Sequence, residues 1–327
     1  MRKAEILNIL KQFGIDDFAE KKEIDSTLED DYRLNIILDQ KYVLRINGDI
    51  MTEERLASID RLAARYREIG VLAPRLYKSR GGTFLVPYGK YICYLSEYLD
   101  YPTYREKEKE CDSTIINKEV LQSIGKLSAR FTDVDLAPVN SMWSIIDLAP
   151  LDEDIDEKQE NLNTLVEELN RLGETGVAQR IAAFNDKKRA ALKKIYKNLP
   201  RCVIQGDLNG SNTLVEDGHF KGLIDFNMAG TEVNVNHFCC ETNASIAEKE
   251  FEAAGADYLY EKWVKEQQES LDVILTEYTL NELEKEAIGY YRSICRISMY
   301  PNVMNYLEYL KKDKAKMLRI LERIIEE

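Results

Sequence analysis

Short runs of strand-forming residues alternate with polar breaks along the first hundred residues. Tyr32–Leu38 and Tyr42–Ile46 flank one polar break and predict a β-hairpin. Residues 83–88 and 91–99 predict two further strands on either side of a Gly-Lys turn, and residues 21–27 (KKEIDST) predict a fifth strand. The pattern therefore predicts a small β-sheet in this part of the chain.

Apolar residues at helical spacing occur before and between the predicted strands and again after them. Residues 1–13 form an amphipathic pattern, and apolar residues recur every three or four positions from Leu56 to Ile69, between the N-cap candidate Thr52 and Gly70. After Tyr101 the pattern is helical to the end, apart from residues 201–230. A chain of 327 residues fits two lobes. The prediction is an α+β fold with an N-lobe at residues 1–99, a sheet with one internal helix, and a larger helical C-lobe at residues 100–327.

Composition and charge narrow the classes of function. The net charge of −13 disfavours nucleic-acid binding and suits either a cationic small-molecule substrate or mere solubility. No apolar run approaches the roughly 18 residues of a membrane span, and the N-terminus lacks the features of a secretory signal, so a cytoplasmic protein without a membrane partner is expected. The six scattered cysteines predict free thiols, although adjacent Cys239 and Cys240 leave a metal site as an alternative.

The segment 201–230 concentrates the candidate chemistry. Its sequence is RCVIQGDLNGSNTLVEDGHFKGLIDFNMAG, in which two apolar runs each precede a carboxylate, Asp207 and Asp225. Asn212 follows Asp207 by five residues. Magnesium prefers such oxygen ligands, and phosphoryl transfer needs a further carboxylate to accept or orient the proton of the acceptor hydroxyl. The order and spacing favour phosphoryl transfer.

This segment resembles the aminoglycoside phosphotransferase and choline kinase-like superfamily, whose loop usually reads HGDLxxxN followed by IDFxxAG. The resemblance implies a bilobal protein-kinase-like fold and the use of ATP or GTP with Mg²⁺. It implies that Asp207 is the catalytic base and that Asn212 and Asp225 are magnesium ligands. It also implies that Arg45, in YVLRI, contacts the nucleotide phosphates.

Further site residues follow from the same resemblance. Glu54 is favoured over Asp60 as the acid that pairs with Arg45. Ser26 or Thr27 would cover the phosphates from a glycine-free stretch. In the hinge-like LSEYLD, backbone groups of Ser96 and Tyr98 would bind adenine, with Leu95 beside it.

Two positions depart from the family pattern. Gln205 stands where the family usually has histidine, and since glutamine can also donate and accept, it can brace the loop in the same way. His237 lies where the family often places Asp, and a structural role is expected for it.

Three classes of function remain open from the sequence. The first is an ATP-dependent small-molecule kinase for the hydroxyl of a cationic, aminoglycoside-like compound, for which the acidic run at residues 152–156 is a further motive. The second is a metabolic kinase for choline, homoserine or a related metabolite. The third is a degenerate kinase fold that acts as a binding protein. A protein kinase is disfavoured because HRD and APE segments are missing. The sequence leaves the oligomeric state open.

Overall fold

The predicted strands of the N-terminal part come together in one antiparallel sheet. The computed structural model describes residues 1–27, 32–48, 51–146 and 156–326. The sheet has the order β1-β2-β3-β6-β4, and β5 pairs with β6. Its strands are β1 (Lys21–Asp25), β2 (Arg33–Leu38), β3 (Tyr42–Asn47), β4 (Leu76–Tyr77), β5 (Val86–Tyr88) and β6 (Tyr91–Glu97).

Two small antiparallel pairs complete the strands in the described residues. They are β7 (Arg201–Ile204) with β10 (Gly230–Val233), and β8 (Thr213–Glu216) with β9 (His219–Leu223). The β8–β9 hairpin closes through Asp217 and Gly218, which both have positive φ, 51° and 80°. An Asp-Gly pair is favoured in such a two-residue turn.

Helices form most of the rest of the described chain. The helical character predicted after Tyr101 is confirmed, and the helix predicted to begin after Thr52 is α2, where Thr52 Oγ1 accepts from Arg55 N at 3.1 Å. The helices are α1 (Lys3–Leu10), α2 (Glu53–Glu68), α3 (Tyr104–Lys107), α4 (Ser113–Phe131), α5 (Glu157–Arg171), α6 (Thr175–Ile195), α7 (Asn234–Glu241), α8 (Glu248–Ala253), α9 (Ala256–Leu275), α10 (Glu282–Ser298), α11 (Tyr300–Lys312) and α12 (Lys314–Ile325). None of the described helices is both long and apolar enough to cross a bilayer.

One predicted strand is shorter than expected, and two strands, β4 and β10, were missed. Residues 83–88 contain β5 only from Val86, because the backbone N–H groups of Phe84 and Leu85 donate to the Glu53 carboxylate instead of to a neighbouring strand. The strand β4 has only two residues, too few to leave a period in the sequence. The strand β10 is buried at all four residues, so it shows no alternation of apolar and polar positions.

The described chain divides into two compact units. The first comprises residues 1–116, 137–139 and 205–229, and the second comprises residues 117–136, 140–204 and 230–327. The first unit includes the candidate catalytic segment, so this division differs from the predicted lobes. The lobe boundary after residue 99 stays a prediction.

The first unit buries one face of its sheet against α1. Ile6, Ile9 and Leu10 of α1 pack with alternate residues of the strands, among them Leu44 and Leu95. Because side chains alternate along a strand, Arg45 and its neighbours on β6 point to the opposite face. The fold therefore gives the sheet an apolar face and a face that carries the candidate chemistry.

The second unit has its own helical core. Apolar and aromatic side chains of α5, α6 and α8–α12 pack together, and the rings of Phe251 and Tyr309 stack with their centroids 4.1 Å apart. Trp263 on α9 is buried in the same cluster. This unit is an ordinary packed bundle whose stability comes mainly from buried apolar surface.

Candidate active site

Two loops of the first unit cross at Gly206. This glycine has a φ of +81°, and a Cβ placed on it would lie 2.4 Å from the carbonyl oxygen of Met228. Only glycine tolerates both the conformation and the approach. The crossing brings the Asp207 loop against the loop that carries Asp225.

Gln205 links the same two loops through its side chain. Its Oε1 accepts from Asp207 N at 2.6 Å, while its Nε2 donates to the carbonyl oxygens of Ile224 and Asp225, at 3.1 and 2.6 Å. The residue is fully buried, so these bonds are shielded from water. The bracing expected of glutamine at this position is confirmed.

Asp207 and Asn212 form a hydrogen-bonded pair. Asn212 Nδ2 donates to Asp207 Oδ2 at 2.7 Å and to the Asp207 carbonyl oxygen at 3.0 Å. Asn209 Nδ2 donates to the other carboxylate oxygen at 2.7 Å. Each carboxylate oxygen has a second lone pair, so Asp207 is held in place and can still accept a proton.

Asp225 lies two residues beyond β9 in a left-handed conformation, with a φ of +57°. Such a backbone is uncommon outside glycine and costs about 1 kcal/mol or more. Its surroundings hold it there, since Gln205 binds its carbonyl oxygen and Leu72 pairs with Gly222 of β9. The Asp225 side chain remains 40% exposed.

Arg45 faces this carboxylate from the sheet. Its Nη1 lies 3.4 Å from Asp225 Oδ1, and its side chain is only 17% exposed. Burial by itself disfavours the charged guanidinium, but the Asp225 carboxylate and a hydrogen bond with Tyr94 raise the pKa of Arg45 above its ordinary value. Arg45 is therefore a permanent cation beside the Asp225 loop.

Three residues that the sequence analysis missed join this group. Tyr94 stands opposite Arg45 on β6, and its hydroxyl donates to Asn227 Oδ1 at 3.0 Å. Arg55 of α2 donates from Nη2 to the Asn227 carbonyl oxygen at 2.5 Å. Asn227 lies only two residues after Asp225 and could have been noticed, whereas the pairing of Arg45 with Tyr94 depends on strand register.

The donor set fits a magnesium ion. The described hydrogen bonds of the Asn212 side chain use its nitrogen, so its oxygen can serve as a ligand beside the exposed Asp225 carboxylate. Magnesium is commonly held by one or two protein oxygens together with phosphates and water. The described residues contain no group of three or more His, Cys, Asp or Glu side chains that could hold a metal, which also disfavours a site at Cys239 and Cys240.

A small pocket opens beside Arg45. It has a volume of about 20 Å³ and its lining includes Ile59, Leu76, Tyr94, Ser96 and Asp225. This is close to the space of a single water.

The residues of the predicted hinge pair within the sheet. Tyr98 N donates to the Lys41 carbonyl oxygen at 2.8 Å, and Ser96, two residues earlier and paired with Val43, presents its backbone groups to the same neighbouring strand. Leu95 faces the apolar core against α1. The Ser96 side chain lines the pocket instead. Adenine binding by the backbone groups of Ser96 and Tyr98 stays a prediction.

The predicted acid at Glu54 is not brought to Arg45. Glu54 is exposed at the start of α2, and the described ion pair of Arg45 is with Asp225. The alternative, Asp60, accepts from Leu76 N at 3.3 Å. A role for Glu54 in nucleotide binding stays a prediction for another state of the protein.

Ser26 and Thr27 are exposed and close the connection from β1 to β2. Ser26 N donates to the Arg33 carbonyl oxygen at 2.9 Å, and Thr27 Oγ1 accepts from Arg33 N at 3.1 Å. The neighbouring Glu29, Asp30 and Asp31 lie outside the described residues, as do residues 152–155 of the acidic run. Phosphate contact by Ser26 or Thr27 stays a prediction.

The structural role expected of His237 agrees with its surroundings. Its side chain is buried on α7, and burial lowers its pKa to about 3. Its Nδ1 lies 3.7 Å from Glu241 Oε1. The cysteines are free thiols, of which Cys93, Cys202, Cys239 and Cys295 are buried.

Comparison with known proteins agrees with this geometry. The model of the phosphotransferase enzyme family (APH) matches residues 22–232. The chain belongs to this family. No curated protein sequence matches the chain.

Solved structures show the same kinase-like fold in other members. The spectinomycin phosphotransferase APH(9)-Ia, in complex with ADP and spectinomycin, superposes with a TM-score of 0.50 at 10% identity, over 100% of this chain and 97% of that one. The amicoumacin kinase hAmiN, in complex with AMP-PNP, Ca²⁺ and Ami, gives 0.51 at 11% identity, over 100% and 94%. A GDP and kanamycin complex of APH(2″)-IIia gives 0.51 at 12% identity, over 99% and 98%. This phosphotransferase is thus an α+β protein of the kinase-like fold, as predicted.

Proposed function

We propose that this phosphotransferase is a small-molecule kinase that transfers the γ-phosphate of ATP or GTP to a hydroxyl of its substrate. The observation that carries the proposal is the joining of Asp207, Asn212 and Asp225 by Gln205 and Gly206 in one unit, with Arg45 beside Asp225. A residual fold without activity has no physical need to hold these groups together.

Asp207 would accept the proton of the acceptor hydroxyl. Its carboxylate oxygens accept from two amide nitrogens, which fix their direction without protonating them. A positioned general base contributes about 10²- to 10⁴-fold to rate. This role requires only the carboxylate and a hydroxyl within hydrogen-bond reach.

Asn212 and Asp225 would hold Mg²⁺, and Arg45 would bind the nucleotide phosphates. A guanidinium offers two parallel N–H groups to phosphate oxygens, and Arg45 is already confined by Tyr94 and the sheet. The ion and the nucleotide, when bound, supply charge neutralisation and the phosphoryl group. This chain supplies orientation and proton transfer.

The acceptor is proposed to be a cationic, aminoglycoside-like compound. Two observations support this class: the net charge of −13 and the antibiotics bound by proteins of the same fold, spectinomycin and kanamycin. A metabolic kinase for choline or homoserine is the second candidate, since the same acidic balance suits an amino-alcohol. The protein is proposed to act in the cytoplasm on small molecules rather than on nucleic acid.

A substrate panel tests the reaction. Purified protein is incubated with Mg²⁺ and ATP or GTP, and release of the nucleoside diphosphate is followed with aminoglycosides, choline and homoserine. Acceptor-dependent release with one class identifies the substrate. No turnover on any of these acceptors, with either nucleotide, contradicts both kinase versions.

A thermal-shift experiment separates a kinase from a degenerate binding protein. Mg·ATP should raise the melting temperature of the wild type, and Asp225→Ala should remove the magnesium-dependent part of that increase. Stabilisation that is equal in the variant would show that Asp225 holds no metal and would favour the binding-protein alternative.

A further inference from the structure

The Asp225 loop is held from two sides that no motif of the sequence indicates. From the sheet, Tyr94 donates its hydroxyl hydrogen to Asn227 Oδ1 at 3.0 Å. From α2, Arg55 donates to the Asn227 carbonyl oxygen at 2.5 Å. Asn227 N in turn lies 3.4 Å from Asp225 Oδ1. We call Arg55, Tyr94 and Asn227 the Asn227 clamp.

The Asn227 clamp helps to hold Asp225 in a strained backbone conformation. Asp225 has a φ of +57°, which a non-glycine residue keeps only where the surroundings impose it. Gln205 fixes the carbonyl oxygens of Ile224 and Asp225, and Arg55 fixes that of Asn227. The strained residue therefore sits between two anchored stretches of backbone.

The clamp also orients Arg45. The Tyr94 hydroxyl carries one hydrogen, and that hydrogen points to Asn227. Arg45 is the cross-strand partner of Tyr94, so the oxygen lone pairs are left for its guanidinium, and this contact contributes to the raised pKa of Arg45. The guanidinium is thus directed at Asp225 by a neighbour whose own orientation Asn227 sets.

We infer that Arg55, Tyr94 and Asn227 are positioning residues that fix Asp225 for magnesium binding and Arg45 for phosphate binding. α2 reaches the loop through the Arg55 cation and a backbone carbonyl, a contact that does not involve Glu54. This inference rests on the proposed function, because it assigns residues to the same nucleotide site.

The test measures nucleotide binding with and without metal. The affinity for ADP is determined by titration calorimetry at saturating Mg²⁺ and in EDTA, for the wild type and for Tyr94→Phe, Asn227→Ala and Arg55→Met. Residues that orient a metal ligand typically change metal affinity about 10- to 100-fold. We expect Arg55→Met to lose affinity on this scale with Mg²⁺ and much less in EDTA. Asn227→Ala removes the bond from Tyr94 and should lose about 3- to 10-fold. Tyr94→Phe removes that bond and the oxygen that faces Arg45, so it should lose at least as much as Asn227→Ala.

Matched control variants and a double-mutant cycle separate a positioning role from a general disturbance of the fold. Arg61→Gln on the exposed face of α2 and Tyr91→Phe on β6 should bind like the wild type, and Arg55→Lys should recover part of the affinity lost in Arg55→Met. The double variant Tyr94→Phe/Asn227→Ala should be no weaker than Tyr94→Phe alone, because the Asn227 side chain acts through its bond with Tyr94.

The outcomes are distinct. If folded variants bind Mg·ADP as the wild type does, or lose affinity equally with and without Mg²⁺, the clamp does not position Asp225. If the wild type itself shows no magnesium-dependent binding, the proposed function fails and the inference falls with it. Should Arg55→Met fail to fold, Tyr94→Phe, which changes one oxygen atom, decides the question.

Discussion

The catalytic segment 205–229 and the connection from β1 to β2 are built in opposite ways, although both are proposed to act on one nucleotide. In the catalytic segment, the side chains are held by buried partners: Gln205 is fully buried and Asn212 is 8% exposed. In the connection, Ser26 and Thr27 are exposed and their described bonds close a turn. The difference shows that the free protein already orients the side chains proposed for metal and proton chemistry, whereas those proposed to cover the phosphates are exposed.

The largest expected effect is at Asp207. Asp207→Asn keeps the size of the side chain and removes the base, so kcat should fall about 10²- to 10⁴-fold. Nucleotide affinity should change little, because the metal ligands remain. The measurement is steady-state turnover with the best acceptor, together with ADP titration. Asp217→Asn, in the exposed β8–β9 turn, is the control, and an equal loss there would break the assignment.

Gln205 tests whether preorganisation holds the catalytic segment. Gln205→Leu leaves Asp207 N and the carbonyl oxygens of Ile224 and Asp225 without their described side-chain partner. An unsatisfied buried group costs about 1–3 kcal/mol, so the free energy of unfolding should fall by at least that much. Urea denaturation measures it.

A histidine at the same position sharpens the result. Imidazole can donate one hydrogen bond and accept one, against the three bonds of Gln205, so Gln205→His should lose less stability than Gln205→Leu. Equal loss in both variants would show that shape, rather than hydrogen bonding, matters at this position.

Removing the ion pair of Arg45 with Asp225 should change ATP affinity by a smaller factor, and in opposite directions without and with Mg²⁺. In the free protein the charges of Arg45 and Asp225 neutralise each other. When ATP binds without metal, Arg45 must turn from Asp225 to the phosphates, which leaves the carboxylate without a counter-charge. Asp225→Asn should bind ATP more tightly in EDTA, by roughly 5-fold for a partly exposed pair of about 1 kcal/mol, and more weakly with Mg²⁺. Titration in both buffers measures the two changes. Weaker binding in both would show that the carboxylate does not oppose the phosphates.

The catalytic segment leaves a clearer pattern in the sequence than the hinge does, for a physical reason. Asp207, Asn212 and Asp225 carry their chemistry in side chains at fixed spacing, so their motif survives in the sequence. The expected adenine contacts of Ser96 and Tyr98 depend on which edge of β6 a backbone group faces. That direction is set by the pairing of Tyr42 with Glu97 and is invisible without the register.

The same reasoning explains the partial success with the fold. The hairpin of β2 and β3 and the helix α2 were predicted because period, turn residues and the Thr52 cap agree. The strand at residues 83–85 was predicted wrongly, since the Glu53 carboxylate, distant in sequence, takes the backbone donors of Phe84 and Leu85. A side chain that accepts hydrogen bonds from backbone groups distant in the sequence leaves no local pattern at those groups.

The smallest expected effect is at Thr27. Thr27→Ala removes an acceptor for Arg33 N in an exposed turn, and surface changes of this kind usually alter stability by no more than about 0.5 kcal/mol. If the connection only closes β1 onto β2, ATP affinity should stay within about 2-fold of the wild type, which the same range of free energy allows. Thr83→Ala, in another exposed loop of the first unit, is the matched control. A loss of ATP affinity near 10-fold in Thr27→Ala alone would show that Thr27 turns from Arg33 to the phosphates when nucleotide binds, and the contrast between the two regions would then hold only for the free protein.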